Sequence, residues 1–117
     1  MTNLKERERA FEAEYSRNQE LAFRITARRN RLFGLWAAAK MGLAAGEAVE
    51  TYAKAVIAAD FEAPGDDDVI GKVRADLADK GVLIADAELR TELARAAAEA
   101  RRQALALDVV SGAPPRP

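Results

Sequence analysis

The sequence contains no cysteine and no histidine. The missing cysteine excludes disulfide bonds, thiolate metal sites and cysteine nucleophiles. The missing histidine removes the commonest general base, the commonest metal ligand and the usual pH switch. Catalysis would have to use carboxylates, lysines or a hydroxyl group without an obvious activating partner. The composition therefore argues against an enzyme, and we expect no cofactor and no metal centre.

Long apolar runs are also absent. The first residues contain no hydrophobic stretch of the kind that a signal peptide needs. No stretch reaches the roughly 18 uninterrupted apolar residues of a transmembrane helix. These absences predict a cytoplasmic protein without direct membrane insertion. The length of 117 residues fits one domain with a modest core.

The charges are segregated along the chain, although the net charge is only −1. Residues 21–46 contain five basic residues and no acidic one, whereas residues 47–68 contain seven acidic residues and a single lysine. This layout fits pairing between neighbouring helices as readily as it fits an external partner.

An alanine-rich composition with a 3.6-residue apolar period indicates helices throughout. The predicted helices cover residues 18–41, 45–61, 67–80 and 87–107. Gly42 is predicted to end the first helix and Gly81 the third, while Asp66 is predicted to cap the third helix. Short amphipathic helices with brief connections are typical of a bundle. We therefore predict an all-α fold, a compact four-helix bundle over residues 18–107 with a disordered tail over 108–117.

Each predicted helix has an apolar face. The first face comprises Leu21, Ile25, Leu32, Trp36 and Ala39, with Leu35 beside it. The second comprises Val49, Tyr52, Ala53, Val56, Ile57 and Phe61. The third comprises Val69, Ile70, Val73 and Leu77. The fourth comprises Leu89, Leu93, Ala96, Ala97, Ala100, Ala104 and Leu107. Residues 82–84, Val-Leu-Ile, are predicted to form a buried connector.

The segment LKERERAFEAEY, residues 4–15, combines seven charged residues with apolar residues at helical spacing. Leu4, Phe11 and Tyr15 share one narrow helical face, which lies roughly 80° away from the apolar face of the next helix. One straight helix cannot turn both faces to the same core, and Ser16 and Asn18 could cap a new helix start. We predict that residues 1–17 form a separate, mobile or disordered segment that folds on a partner.

Two charged clusters allow other readings. Arg28, Arg29 and Arg31, with Arg24 before them, could contact phosphate or nucleic acid. The mildly acidic chain favours pairing of these arginines with the acidic second helix, and we expect no nucleic-acid partner. The acidic run at 66–68 could hold a divalent cation, but it lacks the ligand spacing of an EF-hand and more simply starts a helix.

The most specific run in the chain is ARRNRLFGLWAA, residues 27–38. With RERAFEAEY before it and YAKAVIAADFEAPGDDDVIGKVRADLADKGV after it, the chain resembles the ATPase inhibitor subunit zeta family of alphaproteobacterial ATP synthases. The resemblance covers about residues 5–100. It implies a four-helix bundle with a mobile N-terminal inhibitory segment.

The resemblance also implies a function. The chain would be a non-enzymatic inhibitor that binds the α, β and γ subunits of the F1 ATPase and blocks ATP hydrolysis. Its N-terminal segment would enter the catalytic α/β interface beside the rotor stalk. The protein would then lie at the periphery of the inner membrane through F1. We expect it to be a monomer when free. The implied partner-binding residues are Leu4, Arg7, Glu8, Arg9, Phe11, Glu12 and Tyr15.

Two alternatives stay open at this point. The chain could be a helical interaction module with a different protein partner. It could also be a regulator that senses ADP or ATP weakly through Arg28, Arg29 or Arg31, although no nucleotide-binding motif supports this.

Overall fold

The computed structural model describes residues 4–62 and 65–110. These residues form the helices α1 (Leu4–Lys40), α2 (Glu47–Glu62), α3 (Asp66–Asp79) and α4 (Asp86–Val110). No strand occurs in the described ranges, which confirms the all-α prediction. α1 packs chiefly on α2 and α4, and α3 contacts all of the other three helices. Most of the predicted tail, residues 111–117, lies outside the described residues.

The core is formed by apolar side chains from every one of these helices. Its buried members are Phe33, Ala37, Val56, Val69, Ile70, Val73, Leu77, Leu89, Leu93 and Ala96. The whole predicted apolar face of α3 is buried, as the sequence indicated. Small residues keep α4 close to its neighbours, because Ala96, Ala100 and Ala104 are buried in one row. We call residues 21–62 and 65–107 the packed body.

The buried face of α1 differs from the predicted one. Phe33, Ala37 and Ala38 are fully buried, whereas Leu21, Ile25, Leu32 and Trp36 are only half-buried and Ala39 is exposed. The predicted face is therefore right only in part: Leu32 and Trp36 pack against the core, but the most deeply buried positions of α1 lie elsewhere on the helix. The physical reason is close packing, since the small residues Gly34, Ala37 and Ala38 let the other helices approach α1 there.

The predicted helix start near residue 18 is also wrong, because α1 is one helix from Leu4 to Lys40. No glycine or proline interrupts residues 4–33, and glutamate, arginine, lysine and alanine are strong helix formers. Ser16 and Asn18 therefore lie inside a helix rather than at its start. The division into an N-terminal segment 1–17, a body 18–107 and a tail 108–117 stays a prediction.

Glycines end α1 and α3, as the sequence predicted. Gly42 has φ 72° and Gly81 has φ 76°, a backbone conformation that favours glycine. After α3, the Val82 amide donates to the Leu77 carbonyl at 2.9 Å and the Gly81 amide donates to the Ala78 carbonyl at 2.9 Å. This pair of bonds is a Schellman motif, which satisfies the last carbonyls of the helix.

The connector after α3 is buried only in part. Val82 and Ile84 pack against the core, but Leu83 is 88% exposed. Alternate residues of this short segment face opposite sides, so the prediction of a fully buried connector is wrong.

The prediction that Asp66 caps α3 is also wrong. Gly65 occupies the N-cap position of this helix, and no side chain forms a capping hydrogen bond there.

Candidate partner-binding site

The first half of α1 is the candidate partner-binding element. Every side chain that the structure describes between residues 4 and 20 is exposed, and Leu4 is 73% exposed. Of the described side chains, the first that is half-buried is that of Leu21. At 1.5 Å per residue, residues 4–20 make a helical projection of about 25 Å. We call residues 4–20 the projecting segment.

The predicted partner-binding residues all lie on this segment. Leu4, Arg7, Glu8 and Arg9 are exposed to solvent. The backbones of Phe11, Glu12 and Tyr15 belong to α1, and their side chains lie outside the described residues. Since the backbone is helical, positions 4, 11 and 15 follow one face of the projection. The binding role of these residues stays a prediction.

The predicted arginine cluster connects α1 to each of the other helices. Arg31 pairs with Glu50 of α2 through two hydrogen bonds of 3.0 and 3.2 Å. The Arg29 Nη1 donates to Asp66 Oδ1 of α3 at 2.8 Å, and Arg28 Nη1 donates to Gln103 Oε1 of α4 at 3.2 Å. The predicted pairing with the acidic second helix is therefore confirmed for Arg31.

The three arginines do not share one surface. Arg28 and Arg31 line the same groove, whereas Arg29 lines another one, beside Asp66 and Arg90. The Nε of Arg29 also donates to Oδ1 of the buried Asn30 at 2.9 Å. A nucleotide contact by Arg28, Arg29 and Arg31 stays a prediction, although this arrangement does not gather them around one ligand.

An exposed aromatic pair was not identified as a candidate site from the sequence. Phe23 of α1 is 53% exposed and Phe61 of α2 is 60% exposed, and their ring centroids lie 5.3 Å apart. The sequence placed Phe61 on the buried face of α2, which is wrong because α2 ends there beyond the core. No sequence signal could have found the pair, since it depends on how α1 and α2 cross.

The acidic run at the start of α3 is used for pairing within the chain. Asp66 binds Arg29, and Asp67 Oδ1 accepts a hydrogen bond of 2.8 Å from Arg90. The first turn of a helix also favours negative charge. Among the described residues, no group of three or more acidic side chains is arranged to hold a metal ion.

Gln103, which binds Arg28, is itself held by Glu99. The Gln103 amide nitrogen donates to Glu99 Oε1 at 3.0 Å. Hydrogen bonds from Arg102 and then from Gln103 lower the pKa of Glu99 to about 2. The Glu99 carboxylate is therefore ionised at neutral pH and fixes the Gln103 amide, whose oxygen faces Arg28.

Comparison with known proteins identifies the family. Within residues 4–62 and 65–110, no helix has the length and apolarity that crossing a bilayer requires. No curated protein matches the sequence. A family model described as ATPase inhibitor subunit zeta matches residues 1–103 of the 117-residue chain. Because this match covers most of the sequence, including the projecting segment and the arginine cluster, the chain belongs to the ATPase inhibitor subunit zeta family.

Proposed function

We propose that this protein inhibits ATP hydrolysis by the F1 part of ATP synthase and that its projecting segment is the inhibitory element. The segment enters the catalytic α/β interface beside the γ subunit, where it blocks the rotor in the hydrolysis direction. The observation that carries the proposal is the helical projection of residues 4–20, on which every described side chain is exposed to solvent. The protein itself catalyses no reaction.

The continuous helix makes insertion less costly than it would be for a free peptide. Starting a new helix is unfavourable, whereas extending an existing one adds a hydrogen bond for each ordered residue. The projecting segment continues a helix that is already fixed by the packed body. Less conformational entropy is therefore lost when the segment binds than for a disordered tail.

Apolar side chains on one face supply the binding energy. Full burial of Leu4, Phe11 or Tyr15 contributes on the order of 1.5–3 kcal/mol each before the ordering cost. The charged neighbours Arg7, Glu8, Arg9 and Glu12 set the register against subunit charges, which favours specificity and association rate over affinity.

The packed body acts as a stop outside the interface. We propose that the packed body is a four-helix bundle and that this bundle is too wide to enter the α/β interface behind the projecting segment. The second extent of the whole protein is 28 Å, whereas a helix with side chains is only about 10–12 Å across. Insertion therefore ends where the body begins, near Leu21.

Deletion of residues 1–17 tests the division of labour. The truncated protein should retain the thermal transition of the packed body, because the removed residues with described side chains are all exposed. Inhibition of F1 hydrolysis should be lost. Unfolding of the truncated protein, or inhibition at full strength, would contradict the proposal.

A sharper test replaces the anchor residues singly. Phe11→Ala and Tyr15→Ala should each weaken inhibition by about tenfold, as expected for loss of a buried aromatic contact of 1–2 kcal/mol. Leu83→Ala serves as the matched control, since it removes an exposed apolar side chain far along the sequence. If both variants inhibit as strongly as the wild type, Phe11 and Tyr15 are not anchor residues.

A different protein partner is the alternative function. Capture experiments with the full-length protein, using membranes that contain ATP synthase, separate the two functions. Enrichment of the F1 subunits supports the proposal. Enrichment of another assembly without F1 supports the alternative.

A further inference from the structure

We propose that the groove between α1, α2 and α4, next to Phe23 and Phe61, is a second docking surface that binds an acidic, amphipathic segment of the inhibited ATPase. This proposal rests on the proposed function and adds a contact with the same partner. The groove has a volume of about 310 Å³ and is lined by Phe23, Arg24, Ala27, Arg28, Arg31, Leu32, Ile57 and Gln103. We call it the aromatic groove.

The aromatic groove lies beside two exposed aromatic rings. Phe23 and Phe61 contact each other at a tilt of 47°, yet both are more than half exposed. Ile57 and Leu32 extend the apolar surface toward the core. Adjacent exposed aromatics of this size are typical of interaction sites, because leaving them in water gives up their burial energy.

The charged part of the groove has one sign. Arg24, Arg28 and Arg31 line it, and no described acidic residue does. Arg31 is neutralised by Glu50, and Arg24 lies 3.4 Å from the exposed Glu20. Arg28 differs from both, because its guanidinium donates a hydrogen bond to the neutral amide of Gln103.

Arg28 is therefore a half-buried guanidinium that has no carboxylate partner among the residues described. Glu99 fixes the Gln103 amide, so the position of the Arg28 side chain is also constrained. A guanidinium held in place binds a carboxylate with good geometry and strong, charge-assisted hydrogen bonds. The groove thus matches a partner that presents an acidic side chain next to apolar ones.

Continuity with the projecting segment identifies the occupant as part of the ATPase. Phe23 lies eight residues after Tyr15 on the same helix, a rise of about 12 Å. A partner that surrounds residues 4–15 therefore reaches the aromatic groove without any rearrangement of α1. Two linked contacts also bind more tightly than one through effective concentration.

The test measures inhibition of F1 hydrolysis by full-length variants at low and high salt. Phe23→Ala and Phe61→Ala should each raise the inhibition constant by about tenfold, as for an interface hot spot. Arg28→Met keeps the aliphatic stem and should raise it about three- to tenfold at low salt, with a smaller effect at high salt because screening weakens the lost charge contact.

Matched controls remove similar groups elsewhere. Leu83→Ala removes an exposed apolar side chain, and Arg101→Met removes an exposed guanidinium of α4. Neither should change inhibition. The thermal transition of each variant, followed by circular dichroism, should match that of the wild type, since the altered side chains are exposed or half-buried.

The outcomes separate this proposal from the proposed function. If the wild type neither binds nor inhibits F1, both are wrong. If the wild type inhibits and Phe23→Ala, Phe61→Ala and Arg28→Met inhibit equally well, only the aromatic groove proposal is overturned. It is likewise overturned if the Phe23→Ala change abolishes self-association in sedimentation experiments, or abolishes binding of ADP or ATP, while leaving F1 inhibition intact.

Discussion

At the level of single residues, Gly34 determines how closely α1 and α2 can approach. A Cβ atom at this position would lie 3.0 Å from the Ala53 Cα and 3.2 Å from a methyl carbon of Val56. The first contact is with backbone, which cannot rotate away. Gly34 is therefore a packing glycine inside a helix, and the usual helical cost of glycine is offset by close contact.

Gly34→Ala should lower the free energy of unfolding by about 1–3 kcal/mol, because overpacking forces the two helices apart. Gly71→Ala is the matched control, since a Cβ there would meet nothing within 4 Å. The control should raise the free energy of unfolding by about 0.5–1 kcal/mol through helix propensity. Urea denaturation measures both, and equal effects of the two substitutions would refute the packing role of Gly34.

Tyr52 links α2 to α3 through a small polar network. Its Oη donates to Asp76 Oδ2 at 2.9 Å, and Lys72 Nζ lies 3.1 Å from the same oxygen. The Lys72 ammonium also lies 5.7 Å from the centroid of the Tyr52 ring. Burial, and next the hydrogen bond to Asp76, raise the pKa of the Tyr52 hydroxyl well above its usual range.

Tyr52→Phe should lower the free energy of unfolding by about 1–2 kcal/mol, since it removes a half-buried hydrogen bond to a charged group. The raised pKa means that the tyrosine contribution is fully present below about pH 10, where the unfolded residue ionises, and is lost at higher pH. The stability difference between the wild type and Tyr52→Phe should therefore be constant from neutral pH to about pH 9 and shrink above pH 10.

A double-mutant cycle checks the assignment to the network. In an Asp76→Ala background, the cost of Tyr52→Phe should fall, because the acceptor is already absent. A cost that is unchanged by Asp76→Ala would show that the hydroxyl stabilises the fold through another contact.

At the level of elements, α1 joins the predicted inhibitory segment to the packed body as one rod. The sequence pattern predicted a break in the helix near residue 17, because the apolar faces of the two halves do not align. That argument required both halves to face the same core. The projecting segment reaches beyond the core, so its face needs no alignment and the strong helix formers decide the backbone.

Ser16→Pro tests whether this continuity matters. Proline inside a helix removes a backbone hydrogen bond and costs about 3 kcal/mol locally. The variant should keep the thermal transition of the packed body but inhibit F1 at least tenfold more weakly, because the segment is no longer aimed by α1. Ser16→Ala, which favours the helix, is the control, and equal inhibition by both variants would show that a rigid rod is not needed.

At the level of the whole molecule, the projection makes the protein elongated. Its extents are 66 × 28 × 24 Å, and its Cα radius of gyration is 18.0 Å. A compact domain of this length would have a radius of gyration of about 13 Å. The projecting segment thus extends well beyond the packed body.

Solution scattering should confirm this shape for the free protein. The full-length chain should give a radius of gyration near 18 Å and the mass of a monomer. Deletion of residues 1–17 should lower the radius toward the roughly 13 Å of a compact domain. A full-length value already near that of the truncated protein would mean that the segment folds back onto the body.

The sequence alone determined the features that depend on local patterns. The all-α class, the buried face of α3 and the glycine stops at Gly42 and Gly81 follow from residue periodicity and from backbone conformations that only certain residues adopt readily. The exposure of the described side chains among residues 4–15 was also predictable in part, since seven charges in twelve residues leave little apolar surface to bury.

The tertiary structure decided what depends on contacts between helices. The face of α1 that is most deeply buried is determined by the contact of Gly34 and its small neighbours with α2. The contact between Phe23 and Phe61 depends on how the same two helices cross. Arg28 lacks a carboxylate partner within the described chain because Gln103, rather than an acid, lies opposite it on α4. Such contacts join residues far apart in sequence, and no local propensity encodes their distances.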